Sequence, residues 1–257
     1  MRHSAFTLIL IVLSGLLLLF IVAPLLGMMI STSSEQLLQT AVEKEVLNSF
    51  WVTIWIAFTA TFVFSIPAIP LAYLLARKNF KFKKIITGLI DLPVVIPHSA
   101  AGIALLGFIS RDSVIGKVAG YMGFNLVGSP FAIAIAMAFV SIPFLINAAR
   151  SGFELVPERL EKAALNLGAS PTRMFLTISL PLAWRSIVSG LVMMFARGMS
   201  EFGAVIIVAY HPMVAPVLIF DRFNSYGLKY AQPVAVLFIG VSLSIFILFR
   251  LLSSPKK

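Results

Sequence analysis

Apolar residues fill this chain in long unbroken runs. No Asp, Glu, Lys or Arg interrupts Ala5–Ser34, Val46–Ala76, Leu92–Ser110, Val118–Ala149 or Tyr230–Phe249, and Ser186–His211 is interrupted only by Arg197 and Glu201. A helix crossing the hydrocarbon core of a bilayer needs about 20 mainly apolar residues. Trimming the polar ends predicts six such helices, near residues 6–29, 48–76, 86–109, 130–149, 187–210 and 232–252. A transmembrane barrel would instead alternate apolar and polar positions in segments of about ten residues. Ala132, Ala134, Ala136 and Ala138 do alternate, but inside a continuous apolar stretch, so they read as helix. Arg2 ahead of the first run fits a signal peptide. That run is too long, however, and no small-residue cleavage pattern and soluble domain follow it, so it reads as a retained span.

Composition agrees. The 257 residues are 60% hydrophobic and 12% charged, with a mean hydropathy of +1.01, whereas soluble domains are about 45–50% apolar and about 25% charged. Disorder, which goes with low hydrophobicity and high charge, is excluded. With no cysteine, disulfide frameworks, thiolate metal sites and cysteine nucleophiles are excluded too.

The net charge of +10 is informative through its distribution. With the N-terminus inside, the inner segments hold Arg2, the Arg77–Lys84 cluster, Arg150, Arg159, Lys162, Arg173, Arg185, Arg250, Lys256 and Lys257, 14 Lys and Arg in all. The outer loops hold 5: Lys44, Arg111, Lys117, Arg222 and Lys229. Positive loops stay on the cytoplasmic side, which predicts a multi-pass protein with both termini in the cytoplasm. The Arg77–Lys84 cluster reads as an anchor on anionic lipid; without an accompanying motif it does not indicate nucleic acid.

Groups for catalysis or metal binding do not converge. His3, His98 and His211 lie on separate segments, the carboxylates are scattered, and Gly102 to Gly107 runs into Phe108 where a phosphate loop needs Lys. No catalytic or metal residue is therefore predicted, and the chain should not hydrolyse ATP alone. Asp91 reads as an interfacial carboxylate, and His98 as a packed or hydrogen-bonded residue beside a kink at Pro97. Pro67, Pro70, Pro93, Pro97 and Pro143 all lie inside predicted spans, where proline can kink a helix. The small faces Ala132/Ala136 and Ala134/Ala138 permit close packing on two sides of the fourth span, which places it centrally.

The inner segment 150–186 is the most informative. Pro157 suits a first helical turn, and Glu158 and Glu161 lie toward the positive end of the helix it starts. Leu160, Ala164 and Leu167 make one apolar stripe, Gly168 stands where a C-terminal cap is expected, and Ser170-Pro171 signals a new N-cap. The second helix should run from Pro171 toward Leu180 and stop before Pro181. Ala163, Ala164, Gly168, Ala169 and Ser170 keep the bend small, so another surface can approach closely.

In the fifth run, Arg197 and Glu201 are four residues apart on one predicted helical face and can pair. Ionisable groups at membrane depth face the bundle interior, a partner or water. Arg197, Ser200 and Glu201 therefore form either a structural ion pair or part of an anion path.

The spacing Ala163-Ala164, three residues, Gly168, nine residues, Ile178-Ser179-Leu180-Pro181 resembles the cytoplasmic loop of ATP-binding-cassette (ABC) importer permeases, E-A-A-x3-G-x9-I-x-L-P, with Lys162 at the usual Glu position and Glu161 before it. Phe195-Ala196-Arg197 through Gly203, and Leu92-Pro93 through Pro97, are similar to the molybdate, tungstate and sulfate branch of that family. The resemblance, over about residues 48–250, implies an all-α integral membrane protein with six transmembrane helices and the type I importer permease fold. It divides the chain into residues 1–47, a first helix and outer loop, and 48–257, a five-helix permease core with coupling loop 150–186. Glu158, Glu161, Ala163, Ala164, Gly168, Ala169, Ser170 and Pro171 would form the coupling helix region that seats in an ATPase subunit.

The resemblance further implies a homodimer in a prokaryotic cell membrane, served by two cytoplasmic ATPases and an extracytoplasmic oxyanion-binding protein. ATP and Mg would be used by the ATPase, with no cofactor on this chain. Molybdate or tungstate is the expected cargo and sulfate or thiosulfate the alternative. An ion-coupled secondary transporter would show repeated halves and several embedded ionisable groups, neither of which is evident.

Overall fold

The computed structural model describes residues 5–253, so Arg2, His3, Lys256 and Lys257 lie outside it. Regular structure among the described residues is helical throughout: α1 (Ala5–Ser31), α2 (Ser34–Ala41), α3 (Lys44–Arg77), α4 (Lys83–Val95), α5 (His98–Ile109), α6 (Val114–Tyr121), α7 (Pro130–Glu154), α8 (Glu158–Asn166), α9 (Pro171–Met174), α10 (Leu180–Met199), α11 (Val205–Val208), α12 (Ala215–Tyr226) and α13 (Leu228–Ser253). Five continuous helices are long and apolar enough to cross a bilayer: α1, α3, α7, the rod from Pro171 to Met199, and α13. A sixth segment is the pair α4–α5, bent by 110°.

The kink expected at Pro97 is present, but at 110° it divides the third span expected over 86–109 into two helices. At about 1.5 Å per residue, neither the 13 residues of α4 nor the 12 of α5 reach across a hydrocarbon core of about 30 Å. The break falls at Ile96-Pro97. Ile96 is extended (φ −72°, ψ 149°), as the ring of a following proline demands, and Pro97 becomes the N-cap of α5. Pro67, Pro70, Pro93 and Pro143 stay inside their helices.

The fifth span is corrected at both ends. Residues 187–210 were expected; the rod instead runs without interruption from Pro171 to Met199. Pro181 does not stop it, because residues Phe175–Ser179 form a π-helical turn in which the Leu180 N–H reaches back to the Phe175 carbonyl. A mid-helix proline lacks a donor and crowds the carbonyl four residues earlier. The wider turn relaxes the chain just where that conflict would arise, and Pro181 falls in the first α-turn beyond it. The second helix of the loop and the fifth span are consequently one lever.

The fourth span lies at the centre, as its small faces suggested. More than half of the apolar stretch of α7 is buried and none of that of α1. Ala132, Ala136 and Ala138 are fully enclosed. One core joins α7 to α3, α5, α12 and α13 around Met137, Val140 and Leu218; a second joins it to α3 and α10 around Leu75, Leu145, Phe153 and Ile187. Glycines set the spacing of α7 and α10. A β-carbon on Gly190 would lie 2.9 Å from that of Ala148, and one on Gly152 would lie 2.5 Å from that of Ser186.

Helix α1 is peripheral. Its end is tied to α13 by the Gln232 amide, which donates to the Met28 carbonyl (2.9 Å) and lies 2.7 Å from Ser31 Oγ and 2.9 Å from Thr32 Oγ1. At the same end of the molecule α12 is fixed to α3. The Ala215 N–H donates to buried Thr53 Oγ1 at 2.7 Å, and Arg222 pairs with Glu43 and Glu45.

Candidate functional sites

The first site is the element between α7 and α10. Pro157 is the N-cap of α8 rather than a residue of its first turn, and Glu158 and Glu161 fall in that turn, where carboxylates are favoured by the helix dipole. The helix stops as expected at Gly168, whose φ of +85° is open to glycine with no steric penalty. The Gly168 N–H bonds to the Leu165 carbonyl and the Ala169 N–H to the Ala164 carbonyl, each at 3.0 Å, the paired bonds of a Schellman cap. Ser170 then caps α9, its Oγ accepting from the Arg173 N–H at 3.2 Å, with Pro171 first in the helix.

Burial on this element is inverted. Of the expected stripe, Leu160 and Leu167 are 41% and 88% exposed and Ala164 is half-buried. Ala163, Leu165, Gly168, Ser170 and Pro171 are exposed, and Ala169 is half-buried. Glu161 is buried instead. Arg77, the last residue of α3, donates to it from Nε (2.9 and 3.1 Å) and from an η nitrogen (3.0 Å), and from that same nitrogen to the Val156 carbonyl (2.8 Å). Ser179, in the π turn, donates to Glu161 Oε1 at 2.7 Å.

Lys162 points outward and pairs with Glu158 at 3.0 Å. The Lys162 hydrogen bond, and then its charge, hold the Glu158 carboxyl below the usual carboxylate range. Arg77 therefore does not act as a lipid anchor. Its side chain is 9% exposed, whereas Lys78, Lys81 and Lys84 from the same cluster are exposed.

The second site lies where two helix breaks meet. Helix α10 ends at Met199, so Glu201 sits beyond it, before α11. Its carboxylate is fully buried. Arg197 lies 3.0 Å from Oε2, His98 Nδ1 lies 2.9 Å from the same atom, and the Ala204 N–H donates to Oε1 at 2.9 Å. Arg197 and Glu201 pair as expected, but across the end of a helix rather than along one. His98, the first residue of α5, is the third member and is hydrogen-bonded beside the kink, as its position after Pro97 suggested. Ser200 Oγ lies 3.4 Å from the Arg197 guanidinium and donates to the Arg197 carbonyl.

Two glycines allow the breaks to approach each other. A β-carbon on Gly203 would lie 2.8 Å from that of His98, and one on Gly102 would lie 3.0 Å from the Ala204 backbone. About a quarter of the Arg197 side chain and a third of that of His98 remain accessible, so the guanidinium and the imidazole both reach the surface above a buried carboxylate. Asp91 accepts from the Asn147 amide at 2.7 Å, tying α4 to α7.

Sequence reasoning missed Arg77, Ser179 and the contact between His98 and Glu201. Ser179 falls within the matched Ile178–Pro181 spacing, and His98 follows the helix-breaking proline. Arg77 carried no local signal, because its partner is 84 residues away.

Comparison with known proteins places this architecture. The family described as binding-protein-dependent transport system inner membrane component matches residues 68–254. The molybdate/tungstate transport system permease protein of Thermococcus kodakarensis is 41% identical over 242 residues, 93% of each chain, and that of Methanocaldococcus jannaschii is 40% identical over 233 residues, 91% of each. A sulfate transport system permease of Synechocystis is 28% identical over 243 residues, 92% of this chain and 85% of its own. Among solved structures, a chain of a bacterial ABC transporter that imports alginate superposes with a TM-score of 0.73 at 16% identity, covering 96% of this chain and 95% of its own. With its membrane-spanning rods, its central α7 and a match running from α3 to the end of α13, the chain belongs to the inner-membrane components of binding-protein-dependent transport systems.

Proposed function

We propose that this chain is the pore-forming permease of an ATP-driven importer for molybdate or tungstate, working as a homodimer in a prokaryotic cell membrane with both termini cytoplasmic. The observation that carries the reading is the α8–Gly168–α9 element. It is a rigid, capped bend that exposes Leu160, Leu165 and Leu167 and continues without a break into a spanning rod. Exposed leucines on a short helix outside the spans make a surface for a protein partner, and here that partner is a cytoplasmic ABC ATPase. Relatives about 40% identical over more than nine-tenths of the chain support the choice of molybdate or tungstate; sulfate permeases are more distant relatives.

In this mechanism two ATPase subunits bind ATP and Mg, and their closure draws the two coupling elements together. Because α9, the π turn and α10 form one rod, that displacement enters the bundle as a rigid-body movement and switches the path between its two faces. An extracytoplasmic binding protein supplies the oxyanion and carries most of the selectivity. The accessible side of Arg197, with Ser200 beside it, provides a transient electrostatic contact along the way. This chain contributes no chemistry of its own and binds no cofactor.

The test is ATP-dependent uptake of labelled molybdate, tungstate and sulfate into liposomes holding the permease, its ATPase and its binding protein. Tungstate and molybdate uptake should exceed sulfate uptake. Gly168→Leu, which forces a side chain onto a left-handed backbone at about 1–2 kcal/mol, should abolish uptake while leaving ATPase turnover. Undiminished uptake by that variant rules out this bend as the coupling element.

A further inference from the structure

The inward-facing carboxylate of the coupling element does a different job from its outward leucines. Glu161 lies on the exposed helix α8 yet is 6% exposed, and both its oxygens are taken by the protein itself. Arg77 approaches with two nitrogens, a two-pronged geometry that fixes orientation as well as distance. Ser179 occupies a further lone pair of Oε1. The same guanidinium holds the Val156 carbonyl, at the junction of α7 and α8. Four chain segments thus meet at the Glu161–Arg77 pair: the end of α3, the junction after α7, the first turn of α8 and the π turn leading into α10.

The surroundings stiffen this joint. Tyr73, one turn before Arg77, packs edge-on against Phe153 of α7 and Phe175 of the π turn, with centroids 5.2 and 4.9 Å apart. Met174 Sδ lies 3.3 Å from Ser179 Oγ. By contrast, Lys162 and Glu158, next to Glu161 on the same helix, are both exposed and pair with each other.

Taking α8–α9 as the ATPase-docking element, as proposed above, we propose that Glu161 is a positioning residue. Through Arg77 and Ser179 it joins that element to α3 as well as to α10, so that one ATPase stroke moves both spans together. Chain connectivity alone would carry the stroke into α7 and α10. The Glu161–Arg77 pair adds a direct tie to α3, which otherwise meets the loop only through its packing against α7 and α10. Glu161 makes no contact with the ATPase in this scheme; the exposed leucines do that.

The test uses the reconstituted complex of permease, ATPase and binding protein, with two readouts for each variant: retention of the ATPase during purification, and tungstate taken up per ATP hydrolysed. Glu161→Gln keeps the size of the side chain and an oxygen for Ser179 but removes the charge that orients Arg77. Ser179→Ala removes a single donor. Both should retain the ATPase and its turnover, while uptake per ATP falls by about tenfold for Glu161→Gln and less for Ser179→Ala, within the span of coupling between distant sites. Arg77→Lys, which keeps charge but not the two-pronged contact, should fall between Glu161→Gln and the unmodified complex. A ratio that depends on ATP consumed is not moved by a simple loss of folded protein.

Unchanged uptake per ATP in Glu161→Gln overturns the proposal, and so does loss of the ATPase from that variant, which would make Glu161 part of the docking face. Leu167→Asp separates this from failure of the underlying reading. If Leu167→Asp keeps the ATPase bound and uptake intact, the docking surface is misassigned. If Leu167→Asp releases the ATPase while Glu161→Gln stays fully coupled, only the joint is wrong.

Discussion

Removing the Glu201 carboxylate probes what holds the two helix breaks together. The group is fully enclosed, with Arg197 at 3.0 Å, His98 at 2.9 Å and the Ala204 N–H at 2.9 Å. Glu201→Ala strips all three contacts at once. Removing one partner of a buried ion pair costs about 3–5 kcal/mol because the other charge is left uncompensated, and a buried N–H without an acceptor adds about 1–3 kcal/mol. A quarter of Arg197 is accessible, so water recovers part of the first cost, and the total should be about 3–5 kcal/mol. Glu201→Gln fills the same space and still accepts from Ala204, which limits its loss to about 2–3 kcal/mol.

In a chain of this size each kcal/mol moves the melting midpoint by about 2–4 °C. Glu201→Ala should thus melt roughly 6–20 °C lower, read by tryptophan fluorescence in detergent. Arg197→Met and the double variant Arg197→Met/Glu201→Gln complete the cycle. With neither charge left unpaired, the double variant should be more stable than Glu201→Gln alone. If the double loss instead equals the sum of the two single losses to within about 0.5 kcal/mol, the pair does not join the breaks and the reasoning fails.

Other consequences are simpler to check. Gly190→Ala and Gly152→Ala overfill the contact between α7 and α10 and should each cost about 1–3 kcal/mol. Gly107→Ala, on open helix surface, should be neutral or stabilising in the same melting assay, and equal losses at all three sites would contradict the packing described. The Glu158–Lys162 pair contributes fully above the usual carboxylate pKa and fades as pH falls through the lowered Glu158 value. Lys162→Met should move the Glu158 titration upward by NMR, and an unmoved titration would refute that cause. Gln232→Leu removes the tie between α1 and α13. In this cysteine-free chain, spin labels at Ser33→Cys and Lys229→Cys should report a broader distance distribution, whereas an unchanged width would show that α1 is held by other means.

What the sequence by itself determined was local or compositional. Long apolar runs read as helices at membrane depth, because a backbone in hydrocarbon has to satisfy its own hydrogen bonds, although one of them, over 86–109, folds as two short helices. Gly168, Ser170 and Pro171 mark their bend by backbone chemistry that acts within a turn, and the alanines of α7 mark the central helix because only small faces allow close packing on two sides. The family resemblance rested on the same local spacings and singled out the α8–Gly168–α9 bend without any contact being known.

The sequence marked a kink at Pro97 and a stop at Pro181, and tertiary structure decided how far each breaks its helix. Pro97 bends α4–α5 by 110°, while Pro181 passes into a continuous rod because a π turn precedes it. It also decided the partners of the charges. Arg77 finds Glu161 across 84 residues, and His98 finds Glu201 across 103. Buried charges in a bundle pair with whatever the packing brings near, and nearness in a fold is set by helix crossings that local sequence does not encode.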